Sequence, residues 1–360
     1  ATLEPIVATP PALPMIESTI ELDARAGLDA PAPIKAEILM RGDLAIVTAR
    51  ALETLSEDKL DETLKALWSE MPWSLEPITV GWSADEATGD VRLTMEGAAA
   101  INWTAERGAR PRRWLLSPMT VGWRADLKRE PGPQSEAPYA TQWPTFVQDR
   151  VSVRLPLDGT GFRFTGGDVA QTVAGHELRR TMTLSGGVFT GVASRRAVVT
   201  EFPYADKQAA ETGLSALSTS IYLEAPRGYK RTPAELEIEA ARTGTTFFEY
   251  ASRADALFEL GRVDKAIATL DAGIARDKDL ASAYNVRCWL LGRAKRDLPR
   301  AMADCEKALT LRPDTASYLD SRALVYFRMG QFDRAIADYD AALERSPELS
   351  PSLFMRGVAK

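Results

Sequence analysis

From Phe247 to Lys360 apolar and small residues recur with helical spacing, and the arrangement returns about every 34 residues. The clearest copy runs from Ala316 to Leu349, with Ala323, Ala335 and Ala342 as its small positions and Tyr326 and Tyr339 as its large ones. Gly330 supplies a turn and Pro347 a stop. One copy earlier, Cys288, Ala301 and Ala308 are small, Tyr284 and Leu291 are large, and Pro313 closes the unit. That copy carries an extra residue, placed by the alignment in the Arg293–Pro299 turn. In the first copy Ala254, Ala266 and Gly273 take the small positions and Gly261 the turn. A fourth begins at Ser350 and supplies a first helix only, with Leu353 and Gly357 in register.

The spacing resembles the tetratricopeptide repeat. Each such unit is a pair of antiparallel helices, small where the backbones approach and large where space must be filled. Glycine lets the chain reverse, and proline cannot continue the second helix.

Residues 16–230 alternate with a period of two instead. Strands are predicted at Ile16–Ala26, Ile34–Met40, Leu75–Trp82, Val91–Met95, Val151–Leu155, Gly161–Phe164, Val169–Val173, His176–Leu184, Val188–Thr200 and Ile221–Ala225. A helical insertion, broken near Ser56–Asp58, is predicted from Ala45 to Glu70, and Tyr204–Ser218 is a further helix. The segment Arg107–Tyr139, rich in glycine and proline (Gly108 and Pro131 among them), reads as loop. Short strands punctuated by turns suggest a β-sandwich with one sheet face in water. Thr232–Ala241 opens with a cap residue, proline and an acid, and reads as a helix leading into the repeats. The expected fold is therefore multidomain α+β. Residues 1–15 form a linker with Pro5, Pro10, Pro11 and Pro14, residues 16–145 and 146–230 the two halves of a sandwich-like β-rich domain, 231–246 a linking helix, and 247–360 an all-α repeat solenoid.

Composition narrows the function. The net charge is −6, with 44 Lys and Arg against 50 Asp and Glu, which argues against a nucleic-acid partner. No run approaches the roughly 20 apolar residues of a membrane helix. The proline-rich opening and the half repeat at Lys360 read as a piece of a larger protein without a leader peptide. The apolar flank of that half repeat is expected to meet missing residues or a second copy.

Catalytic chemistry finds little footing. The only imidazole, His176, lies on a predicted strand beside Arg179 and Arg180 and reads as solvent-facing or hydrogen-bonded. Cys288 and Cys305, at packing positions of the second repeat, are either two buried thiols or a disulfide, which needs an oxidising compartment. With one histidine they cannot complete a zinc site. Gly159–Gly161 and Gly166–Gly167 lack a following Lys-Ser or Lys-Thr and read as turns. The expectation is a non-enzyme without cofactor or metal.

Binding residues are more legible. Repeat positions 2, 5, 9 and 12 line the groove of such arrays, giving Ser282, Asn285, Trp289 and Gly292, then Ser317, Asp320, Leu324 and Phe327, then Pro351 and Phe354. Asn285 can hold a peptide backbone, while Trp289 and Phe327 serve either as apolar purchase or as packing between repeats. Arg287, Arg322 and Arg356 recur one position before the small residue, either as a structural ladder with Asp304 and Asp338 or as ligand contacts. Seven tryptophans (Trp68, Trp73, Trp82, Trp103, Trp114, Trp123, Trp143) crowd the first domain and are either core or a stacking face for glycans.

Several stretches of the first domain carry a further resemblance: AEILMRGDLAIVTARAL at Ala36–Leu52, GDVRLTMEG at Gly89–Gly97, INW at Ile101–Trp103, REPGPQSEAPYATQWP at Arg129–Pro144 running into RVSVRLP, and AGHELRRTMTLSGG. They are similar to the region after the catalytic core of bacterial cell-envelope transglutaminase-like proteins, several of which end in tetratricopeptide repeats. The resemblance implies a periplasmic or envelope location, and an accessory role in shaping substrate access. The family's papain-like Cys-His-Asp core would precede this region, so no catalytic residue is carried over.

Overall fold

The computed structural model describes residues 9–71, 75–104 and 111–360. Pro5, Trp73 and Gly108 lie outside the described residues. The chain divides into a β-rich unit ending at Thr232 and a helical unit, Pro233–Lys360.

In the β-rich unit the chain runs through β1 (Ile16–Asp23), β2 (Ala32–Met40), α1 (Asp43–Glu53), α2 (Glu57–Ser69), β3 (Leu75–Ala84) and β4 (Val91–Ala99). It continues through β5 (Arg113–Leu115), β6 (Tyr139–Ala140), β7 (Phe146–Arg154), β8 (Arg163–Phe164), β9 (Val169–Val173), β10 (His176–Ser185), β11 (Val188–Ala197), β12 (Glu201–Phe202), α3 (Lys207–Leu217) and β13 (Tyr222–Glu224). Eight strands join one sheet in the order β3-β4-β2-β1-β7-β11-β10-β9, and two small sheets pair β12 with β6 and β13 with β5 and β8. The expected sandwich is thus met only in its β-rich character. Its two supposed halves are continuous, because β1 lies parallel to β7 with Ile20 opposite Val151.

Alternation decides which face is buried. Along β2, Ala32, Ile34, Ala36 and Ile38 point into the core, and along β4, Val91, Leu93 and Met95 do the same. The intervening residues face water and pair across strands: Lys35 Nζ lies 2.6 Å from Glu96, Arg150 lies 3.1 Å from Glu17, and Arg92 meets Glu37. The helical insertion contributes Ala45, Leu52, Leu64 and Trp68 to the same core as the sheet. Leu116, Met119 and Val121 join them from the glycine- and proline-rich segment. Met119 needs Gly191 beneath it, since a Cβ there would lie 2.4 Å from its sulfur. Buried Arg180 fixes this segment by donating to Met119 O at 2.9 Å and to Gly167 O at 2.9 and 2.8 Å. Trp68, Trp103 and Trp114 are buried and Trp82 and Trp123 pack against the same core, so the tryptophans are largely packing residues rather than a glycan face.

The helical unit consists of α4 (Pro233–Ala241), α5 (Phe247–Glu259), α6 (Val263–Arg276), α7 (Ala281–Ala294), α8 (Leu298–Leu311), α9 (Ala316–Arg328), α10 (Phe332–Arg345) and α11 (Ser350–Ala359). The small repeat positions Ala254, Ala266, Cys288, Ala301, Ala308, Ala323, Ala335 and Ala342 are fully buried. Gly261 and Gly330 turn with φ of 75° and 76°, a region that costs most other residues energy. The second hairpin reverses instead through Lys295 and Asp297, where the extra residue falls, and the Asp297 carboxylate caps α8. At the start of the array Thr246 and Glu249 form a reciprocal capping box, and these amide hydrogen bonds hold the Glu249 carboxyl down at about 2.

His176 is hydrogen-bonded and not solvent-facing. It is 5% exposed, its Nδ1–H donates to Ala174 O at 2.7 Å, and Trp123 meets the ring edge-on at 5.1 Å. Burial, with Arg195 acting in the same direction, lowers the imidazole pKa below its usual value. The folded state therefore resists a proton that the unfolded chain accepts below about pH 6.5, and stability falls as pH drops through that point. Tryptophan-detected unfolding should show a lower midpoint at pH 5 than at pH 8. In His176→Gln that dependence should shrink; an unchanged slope in the variant would assign the effect to other groups.

Candidate peptide-binding groove

The first helices of successive repeats, α5, α7, α9 and α11, carry the groove positions, and their side chains differ in how free they are. Asn285 on α7 is half-buried, and its Oδ1 is buried without a hydrogen-bond partner among the described residues. One turn on, Trp289 stacks beneath the Arg293 guanidinium at 4.5 Å, and the same guanidinium lies 4.6 Å from the Phe258 ring. This sandwich ties the first repeat to the second through a cation held between two aromatic faces. Asp320 accepts a hydrogen bond from Ser352, a fully buried hydroxyl of α11, and burial raises its carboxyl pKa. Phe327 packs with the Ala323, Ala335 and Tyr339 cluster and meets Phe332 edge-on at 5.5 Å. Leu324 is buried, and Leu324 and Val325 stand 3.6 and 3.2 Å from where a Cβ on Gly292 would be. Phe354 is 71% exposed.

Of the predicted groove residues, Phe354 thus offers free surface, Asn285 is half-buried with its Oδ1 enclosed, and Asp320 and Phe327 are engaged inside the array. Two aromatic residues were not picked out from sequence, Phe258 and Phe248, the latter 79% exposed. Both sit at positions 12 and 2 of the first copy, so the register that gave Gly292 and Ser282 also gives them.

The recurring arginines form a ladder. Arg287 grips Asp304 through Nε and Nη2, both at 2.7 Å, and reaches back to Asp271 on α6 at 2.8 Å. Arg322 grips Asp338 at 2.7 and 2.8 Å, and Arg356 reaches Asp340 on α10 at 2.8 Å. Each rung therefore crosses a hairpin, joins neighbouring repeats, or does both. The first copy has an arginine at the same register, Arg253.

Cys288 and Cys305 face each other across α7 and α8, fully buried, with Cα atoms 5.4 Å apart and sulfurs in bonding contact. The equivalent pairs are Ala254 with Leu270 and Ala323 with Tyr339, one small and one large residue each.

Two family models, both described as tetratricopeptide repeat, match residues 252–316 and 291–356. Residues 252–356 are tetratricopeptide repeats. The Hsp70-Hsp90 organizing protein of Triticum aestivum is 46% identical over 55 residues, and Hsp70-Hsp90 organizing protein 3 of Arabidopsis thaliana is 44% identical over 55. Each match covers 15% of this chain and 10% of the relative, so the chain spans about a tenth of their length. Among solved structures, the first tetratricopeptide domain of Spaghetti (RPAP3) bound to an HSP90 peptide is 20% identical, with a TM-score of 0.30, over 32% of this chain and 90% of that one. The second tetratricopeptide domain of human RPAP3 with an HSP70 peptide is 18% identical, with a TM-score of 0.29, over 34% of this chain and 97% of that one.

Asp304 is only 5% exposed, so deleting Arg287 strands a carboxylate inside the tetratricopeptide array. Arg287→Ala and Asp304→Ala should each cost about 3 kcal/mol in urea unfolding, whereas Arg287→Met with Asp304→Leu together should cost far less. A loss below about 1 kcal/mol in both single variants would remove the ladder as a structural element.

Proposed function

We propose that the chain is a non-catalytic protein–protein interaction scaffold whose repeat unit holds an extended peptide along its first helices. The observation that carries this reading is the pair of exposed aromatic side chains, Phe248 and Phe354, on the groove register to either side of half-buried Asn285. The aromatic side chains suit apolar residues of a peptide, and the Asn285 amide between them, once its enclosed carbonyl turns outward, suits the backbone N–H groups. In a peptide-library screen, bound sequences should lose roughly tenfold in affinity, about 1.4 kcal/mol, with Asn285→Ala and with Phe354→Ala. Selected peptides that bind both variants as tightly as wild type would end the groove reading. Sedimentation equilibrium distinguishes it from self-association through Leu353, Phe354 and Val358 of α11, which would give a dimer that Phe354→Ala dissolves.

We further propose that the β-rich unit is the accessory region of a larger envelope transglutaminase-like protein, on the strength of the motifs from Ala36 to Gly187. In this reading the chain itself turns over no amide or peptide substrate, and the compartment is oxidising. The Cys288–Cys305 contact supports the latter. Thiol titration of denatured, unreduced protein should find no free cysteine. Reduction should lower repeat stability by roughly 3 kcal/mol, the scale for closing a loop of this size. Two titratable thiols in protein prepared from an oxidising compartment would refute the disulfide.

A further inference from the structure

The second repeat is an internal template for the first. There Arg287 lies between two carboxylates, Asp304 of its own hairpin and Asp271 of the preceding helix, and Asp271 also accepts from Arg300 at 2.6 Å. One repeat back, allowing for the extra residue in the second turn, Arg253 stands for Arg287, Lys265 for Arg300, Glu237 for Asp271 and Thr269 for Asp304. The correspondence makes α4 a second helix of the repeat type, with Glu237 at the acidic position.

Neither acidic position serves Arg253. Thr269 has no charge, and its hydroxyl donates to Lys265 O of its own helix at 2.8 Å. Glu237 is taken by Arg262, which holds it in a two-pronged pair at 2.7 and 2.5 Å and lowers its pKa. Arg253 makes a single hydrogen bond, from Nε to Ala240 O at 3.0 Å. Among the described residues neither Arg253 nor Lys265 has an ion-pair partner within 4 Å, and Lys265 acts on Glu237 only from a distance, adding to the lowering of its pKa. Both cations line a recess of about 440 Å³ between α4, α5 and α6, whose wall includes Ala240, Thr269 and the Glu237–Arg262 pair. The recess therefore sets three cations, Arg253, Arg262 and Lys265, against the single carboxylate of Glu237, where the next repeat sets Asp271 and Asp304 against Arg287 and Arg300.

We propose that this recess is a binding site for a carboxylate of an acidic peptide, seated between Arg253 and Lys265. The chemistry is charge-assisted hydrogen bonding to a planar guanidinium, reinforced by the ammonium. Bulk attraction does not explain it, because the chain is itself acidic, with a net charge of −6. The recess involves none of Asn285, Trp289 or Phe354, so it goes beyond the groove reading and survives its loss.

Fluorescence anisotropy on the whole chain tests the site with four labelled probes: tetraglutamate and tetraglutamine, each with a free or an amidated C-terminus. At least one carboxylate-bearing probe should bind ten or more times tighter than amidated tetraglutamine. Retained binding of amidated tetraglutamate identifies side-chain carboxylates as the source, and binding of free tetraglutamine identifies the C-terminal one. Arg253→Gln should weaken that binding tenfold or more. Thr269→Asp should do the same while raising the thermal midpoint, since it supplies the missing internal rung. Asn285→Ala should leave it unchanged. Equal binding of all four probes, or binding that both Arg253→Gln and Thr269→Asp leave intact, would overturn the proposal.

Discussion

A guanidinium enclosed between two helices has to meet a carboxylate there, and that requirement organises the helical unit. Arg287 and Asp304 are both withdrawn from water, and their paired 2.7 Å hydrogen bonds satisfy groups that would otherwise carry a heavy desolvation cost. The contact is directional where alanine packing is not. Small residues such as Ala301 and Ala308 let helices come close but tolerate sliding. A planar fork facing a planar acid fixes how far each helix has slid and turned. Because the same residue types return at Arg322 and Asp338, that setting is repeated along the array, which keeps the first helices aligned on one face.

The repeats were legible in the sequence because their information is local and periodic. A 34-residue recurrence of small residues can be read without knowing anything distant, and the same register offers Asp304 and Asp338 as partners of Arg287 and Arg322, as one of two readings. What escaped was of another kind. Arg293 recurs as Arg328 in the third copy, but register does not say which rings it meets, and its place between Phe258 and Trp289 depends on the geometry between two hairpins. The role of α4 escaped because its sequence is short and only its spacing to Asp271, not its composition, marks it as part of the series. For the groove, register identified positions but not freedom: Asp320 and Ser352 meet only because α11 packs beside α9.

In the β-rich unit the reverse holds. Alternation gave the longer strands, with β9 placed to the residue, but missed the short β5, β6 and β12, of which β5 lies inside the segment expected to be loop, and it is blind to order. A strand that buries every second residue does so equally well in a sandwich or in one broad sheet. The choice was made by β1 lying parallel to β7, a pairing across more than a hundred residues with no local sequence signal. The burial of His176 and of most described tryptophans follows from that single sheet, whose covered face draws in α1, α2 and the proline-rich segment.

That long-distance pairing also sets the two units on different clocks. Each helical hairpin closes within its own few dozen residues, whereas β1 must wait for Phe146–Arg154 before its second edge is covered. Low contact order makes the array quick to form and the sheet slow. During synthesis the β1–β2 hairpin therefore emerges with an unpaired strand edge, which is where a nascent chain of this design is most open to mispairing or to a chaperone.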